Sequence, residues 1–117
     1  KSYEKKGWWM TYIPVYHNKS HIHGIGVFTP MNLKVGDVIG VSHAYYNESS
    51  RLYGGFWYMT THGYYNHSEN PNCIIETRDN LNLIIAKVDI MGGEEITVDY
   101  REQPYLEQPE EDWVKWK

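Results

Sequence analysis

Three short segments hold the groups that could do chemistry. The first is Asn66-His67-Ser68-Glu69-Asn70-Pro71-Asn72-Cys73, dense in polar groups between apolar runs. Asn, His and Ser side chains tie down irregular backbone, and they also bind the polar edges of a ligand. The second is Gly24-Ile25-Gly26, just before Val27-Phe28. Two glycines two apart let backbone amides approach a ligand closely, because no Cβ intervenes. No strand-to-helix transition surrounds them, so they are not a dinucleotide fingerprint. The third is Gly92-Gly93-Glu94-Glu95-Ile96-Thr97-Val98-Asp99-Tyr100, followed by Arg101. A tyrosine at a strand end can simply pack, or its hydroxyl can orient a reacting amine or sulfonium. Histidines are frequent, and His21 and His23 would point the same way on a strand. A metal-binding pair of that kind wants a Glu a few residues later, but positions 25–29 read Ile-Gly-Val-Phe-Thr. No metal site is expected, and the histidines read as residues of solvated turns.

Positioning these groups falls to short strands. Runs rich in Val, Ile, Thr and Tyr occur at Met10–Tyr16, Gly26–Thr29, Asp37–Ser42, Phe56–Thr60, Cys73–Arg78, Leu81–Val88 and Glu95–Val98. Breakers separate them: Asn18-Lys19-Ser20, Pro30, Gly36, Gly54-Gly55, Asn70-Pro71-Asn72, Asp79-Asn80 and Gly92-Gly93. Asp79-Asn80 predicts a tight hairpin. The pattern is that of a mainly β domain built from several small sheets. The tail from Pro109 to Lys117 differs. Three acids precede apolar residues and then lysines, which suits a short helix, with Trp113 and Trp116 on one face. That face either closes the core or lids a pocket.

Composition narrows the class further. The 117 residues make one domain, 1–117, large enough to bury a core without staples. Eleven basic against fifteen acidic residues leave a net charge of −4. An acidic chain is a poor partner for nucleic acid, and suits a basic protein or peptide better. No apolar run is long enough to span a membrane, and no signal-peptide pattern is present. The single cysteine, Cys73, allows neither an internal disulfide nor a multi-cysteine zinc site. A reducing, cytoplasmic or nuclear location is expected. Aromatic content is 15 %, with 11 Tyr and 5 Trp against 2 Phe. Side chains with an apolar body and a polar tip suit the walls of a groove as well as a core.

Taken in order, the three segments resemble the SET-domain protein lysine methyltransferases. Gly24-Ile25-Gly26-Val27-Phe28 resembles the family's GxG element, and Gly36-Asp37 follows at the usual place. Asn66-His67-Ser68 with Pro71-Asn72-Cys73 resembles its NHS-xx-PNC element. Glu94-Glu95-Ile96-Thr97-Val98-Asp99-Tyr100 resembles its E-E-(L/I)-T-x-D-Y element. The match spans about 10–101, leaving 102–117 as a C-terminal segment that closes the cofactor site. The resemblance implies a β-clip-like fold of small sheets around a pseudoknot. It implies S-adenosylmethionine as cofactor and a lysine-containing protein or peptide as substrate, entering by an aromatic channel. Gly24, Ile25, Gly26, Tyr64, Asn66, His67 and Trp113 would bind the cofactor. Tyr100 would be catalytic, and Tyr65, Ile75, Val98 and Tyr100 would line the channel. The channel's first-half tyrosine is Tyr45, Tyr46 or absent, with Ser42 and His43 nearby.

The chain departs from many family members in lacking flanking cysteine-rich zinc segments. It looks like the compact virus-encoded or bacterial form, some of which pair as homodimers. Neither Ile75 nor Val98 is aromatic, so di- or trimethylation is expected. The alternatives are a SET-like peptide-binding module without turnover, and an unrelated aromatic-rich β domain using Trp8, Trp9 and Trp57 as a platform.

Overall fold

Eight short strands carry the structure, most of them built from runs of branched and aromatic residues. The computed structural model describes residues 13–46 and 56–103, with side chains given for 13–45 and 59–103. The strands are β1 (Tyr16–Lys19), β2 (Ile25–Phe28), β3 (Val38–Tyr46), β4 (Phe56–Met59), β5 (Asn66–His67), β6 (Cys73–Arg78), β7 (Leu81–Ala86) and β8 (Glu95–Val98). Two 3₁₀ turns, Thr61–Gly63 and Tyr100–Glu102, complete the regular structure among the described residues.

One four-stranded sheet has the order β4-β3-β7-β6 and is antiparallel throughout. Its centre is β7, whose Leu83, Ile84 and Ala86 are buried. β6 and β7 pair from Cys73↔Ala86 to Arg78↔Leu81 across the predicted hairpin. Asp79 and Asn80 both take positive φ, at 48° and 65°, as a type I′ turn demands.

The other sheet has the order β1-β2-β8-β5. Here β8 lies between two partners from far earlier in the chain. It is antiparallel to β2 (Val27↔Ile96, Phe28↔Glu95) and parallel to β5 (Asn66↔Thr97, His67↔Val98). Both sheets feed one core of Val27, Leu33, Ile39, Tyr65, Cys73, Ile84, Ala86, Ile90, Ile96 and Val98. The bridge Leu33↔Ile90, with N–H···O distances of 2.7 and 2.9 Å, staples two loops over it.

The fold is the mainly β arrangement of small sheets that the sequence predicts, with one strand displaced. The run expected at Met10–Tyr16 does not form a strand over 13–15. Ile13 and Val15 pack against the core, and pairing starts only at Tyr16. Asn18 and Lys19, read as breakers, are in β1, whose four residues are all exposed. An exposed polar edge strand has no periodicity to read. β3 runs four residues beyond its expected end, and β7 stops at Ala86. The expected C-terminal helix and Trp113 lie outside the described residues. Among the described residues, no helix is long and apolar enough to cross a membrane.

Candidate active site

The polar octet 66–73 is tied to β8 at two points. At its start, the two residues of β5 pair with Thr97 and Val98. At its end, Asn72 acts as a substitute peptide. Its Nδ2 donates to the Glu95 carbonyl (2.8 Å), and its Oδ1 accepts from the Thr97 amide (2.9 Å). Its own amide donates to Thr97 Oγ1 (3.1 Å). A side-chain amide has the same donor and acceptor as a backbone peptide, so it can satisfy buried strand groups in a ladder's place.

Tyr100 sits where β8 runs out. Its amide donates to His67 Nδ1 (3.0 Å), and Asp99 Oδ1 lies 3.7 Å from the same nitrogen. Its hydroxyl donates to the Tyr65 carbonyl (2.8 Å). Three rings surround the junction. His67 lies 5.1 Å from the Tyr100 ring and Tyr65 6.1 Å, and His43 from β3 stands edge-on to Tyr65 at 6.3 Å. The Tyr65 hydroxyl is turned away, donating to Gln103 Oε1 (2.7 Å). Asp99 caps the turn that carries Tyr100, accepting from the Arg101 amide (3.0 Å). Hydrogen bonds from the Arg101 side chain hold the Asp99 carboxyl down at about 2.

Two other titratable groups near the junction are set mainly by burial. Desolvation, reinforced by the nearby charge of Glu102, pushes the Cys73 thiol up to about 12. Such a thiol is a packing residue and not a nucleophile. Desolvation also lowers the His43 imidazole below its ordinary value, so it is held neutral.

The glycine segment approaches from the far side of β8. Gly24 has φ +49°, with open space where a Cβ would stand. Gly26 is different: a Cβ there would lie 2.5 Å from Glu95 Oε2. A side chain at position 26 would therefore have to displace a carboxylate of the protein itself. That carboxylate accepts from Ser20 Oγ (2.8 Å to each oxygen) and from Asn66 Nδ2 (2.8 Å). Asn66 Nδ2 also reaches the carbonyls of His23 (2.9 Å) and Ile25 (3.4 Å). Asn66 is thus held against the glycine turn, as His67 is against Tyr100.

Of the residues singled out from sequence, Gly24, Ile25, Gly26, Tyr65, Asn66, His67 and Tyr100 converge here. Tyr64 is 53 % exposed at the rim, edge-on to His17 at 5.7 Å. Ile75 is half-buried against the core, and Val98 is fully buried within it. Tyr45 lies on β3, its amide donating to the Asn80 carbonyl (2.7 Å). The side chain of Tyr46 is outside the described set. Sequence reading passed over Ser20, Asn72, Glu95 and Gln103 as site residues. Glu95 opens β8, but its partners Ser20 and Asn66 lie 75 and 29 residues away, so no local signal marks it. Among the described residues no cluster of His, Cys, Asp and Glu could hold a metal ion.

Comparison with known proteins places the fold. No curated protein matches the chain significantly. Among solved structures, a candidate histone methyltransferase of Plasmodium falciparum superposes with a TM-score of 0.59. It is 23 % identical, over 74 % of this chain and 91 % of that one. Chains of the Chaetomium thermophilum Polycomb Repressive Complex 2 superpose comparably. In its autoinhibited form bound to S-adenosylmethionine, the TM-score is 0.61 at 18 % identity. That match covers 77 % of this chain and only 15 % of the other. The same complex with H3K27me3 and H3K27M gives 0.60 at 18 % identity. These likenesses establish the fold. The model of the SET domain matches residues 12–101, which include all eight strands and Tyr100, and the chain belongs to the SET domain family.

Proposed function

We propose that the chain is an S-adenosylmethionine-dependent protein-lysine N-methyltransferase. The observation that carries this reading is the placement of Tyr100, its amide on His67 and its hydroxyl on the Tyr65 carbonyl, beside the Asn66–glycine contact. The residues present fit the cofactor. The backbone of 23–25 is open on the side where Gly24 lacks a Cβ, and Ile25 is 58 % exposed. Asn66 supplies an amide next to that edge, and Tyr64, two residues earlier, supplies an exposed aromatic ring. In this reading Gly24, Ile25, Gly26 and Asn66 hold the methionine end. His67 and Tyr64 hold the adenine end, with Trp113 from the C-terminal segment. The single domain 1–117 works in the cytoplasm or nucleus, on a lysine in a basic protein or peptide.

S-adenosylmethionine, when bound, supplies an electrophilic methyl group on a sulfonium. The protein's part is alignment and exclusion of water. A lysine amine has an ordinary pKa of about 10.4 and must be neutral to react. A lysine side chain seated against Tyr65, Tyr100 and the half-buried Ile75 is desolvated, which favours the neutral form. The Tyr100 oxygen and the Tyr65 carbonyl are fixed acceptors that can orient an amine or hold a polarised methyl by weak C–H···O contacts. No dedicated general base is required. With no aromatic hydroxyl at 75 or 98, the channel leaves room for a methylated amine to turn and react again.

The first test works whatever the substrate. S-adenosylmethionine at about a hundredfold over its dissociation constant should raise apparent stability by roughly 2.7 kcal/mol in a thermal melt. Labelled methyl should then pass to histone or basic peptide pools, with di- and trimethyl-lysine in the product mass spectrum. Tyr100→Phe should keep the fold and lose about 10²-fold or more in turnover. Near-normal turnover in that variant would reject the assignment. A melting shift without transfer would favour a peptide-binding module instead.

A further inference from the structure

Glu95 is a half-buried carboxylate whose described partners are all neutral: the Ser20 hydroxyl and the Asn66 amide. An ionised carboxylate only accepts hydrogen bonds. It therefore dictates which end of the Asn66 side chain faces it. Nδ2 is directed at Glu95, Ser20 Oγ (2.9 Å) and the carbonyls of His23 and Ile25, so its two protons are shared among four acceptors, and every described contact of this side chain is on its nitrogen. The amide oxygen is left as its uncommitted acceptor. A flipped amide would set oxygen against three acceptor oxygens.

The same carboxylate organises the turn before the glycines. Ser20 Oγ, donating to Glu95, is oriented to accept from the amides of Ile22 (2.8 Å) and His23 (3.1 Å). The Ser20 amide closes the loop on the Gly24 carbonyl (2.8 Å). Glu95 thus fixes two surfaces at once, the Asn66 oxygen and the 20–24 backbone, across a separation of 75 residues. Gly26, with no side chain, is what lets the carboxylate come this close.

We infer that Glu95, acting through Ser20 and Asn66, is the positioning residue of the ligand site: it presents the Asn66 amide oxygen and the 20–24 turn to a cationic, donor-bearing ligand end. The inference rests on the reading of the site as a cofactor site, but the arrangement itself can be tested without ligand. In ¹⁵N-labelled protein the Asn66 side-chain amide, assigned by its loss in Asn66→Asp, should be shifted and protected from exchange. Glu95→Gln keeps the volume but puts a donor in the cluster, and Ser20→Ala removes one partner. Both should retain the ladder of the second sheet by backbone amide shifts, while the Asn66 amide moves toward free-amide values. Unchanged Asn66 resonances in both variants would overturn the inference. If the wild type binds S-adenosylmethionine, Glu95→Gln should weaken that binding about 10-fold or more, and Ser20→Ala less. Displaced resonances with unchanged affinity would also overturn it. A wild type that binds no S-adenosylmethionine fails the proposed function, and the resonances then decide the arrangement alone.

Discussion

The two sheets of this molecule are held together by different means. In β4-β3-β7-β6, neighbouring strands pair along long ladders, interrupted between β3 and β7 only by register shifts at Val38/Gly40 and Val41/His43, and branched side chains at the centre supply the adhesion. In β1-β2-β8-β5, the strands that meet come from around positions 25, 66 and 95, and β5 contributes only two residues. So short a ladder is weak, and polar side chains complete it: Asn72 on Glu95 and Thr97, Glu95 on Asn66 and Ser20, Tyr100 on His67 and Tyr65. The first sheet is an apolar scaffold. The second is a polar joint, and the candidate site is that joint.

The contrast is broken most directly by one deletion in each half. Ile84→Ala, in the middle of the scaffold, should cost about 2–5 kcal/mol in denaturant unfolding. It should leave affinity for S-adenosylmethionine intact at temperatures where the protein is folded. Asn72→Ala removes a donor and an acceptor from buried strand groups and should cost about 2–3 kcal/mol. Unlike the core variant, it should abolish the cofactor-induced melting shift. Equal effects on binding in the two variants would erase the distinction.

A smaller effect comes from His43, which faces the joint from the scaffold side. Its folded-state pKa is lowered by burial, so the unfolded chain takes up a proton first as pH falls. Stability should therefore be complete above about 6.5 and decline as pH falls below it. His43→Gln should flatten that part of a stability-against-pH curve, measured as the difference from wild type. Smallest is the hairpin. Asn80→Gly, at φ 65°, relieves left-handed strain, offset in part by the greater unfolded-state freedom of glycine. The scaffold should gain less than about 1 kcal/mol in denaturant unfolding, with cofactor affinity unchanged.

The scaffold was largely legible because its signals are local. The branched and aromatic runs of β3, β6 and β7 and the Asp79-Asn80 pair can each be seen in a window of a few residues. The joint was legible only through its three segments, whose polar residues stand out against apolar strands. Ser20, Glu95 and Asn72 escaped as site residues because their significance lies in pairings 23 to 75 residues away. No window contains both partners. β1 escaped for another reason: four exposed residues carry no burial pattern, and the apolar run before them packs without forming a ladder.

The parallel pairing of β5 with β8 also has a consequence in time. Local contacts form quickly, whereas closing a long loop costs entropy before any contact rewards it. The β6–β7 hairpin, joined by two residues, can form while the chain beyond it is still unstructured. The joint cannot, because β8 is the last described strand and needs β2 and β5 already in place on either side. A nascent chain should therefore acquire its scaffold before it acquires any capacity to bind ligand. Recovery of binding after dilution from denaturant should lag recovery of the hairpin amides, making ligand capture a clock for the final folding step.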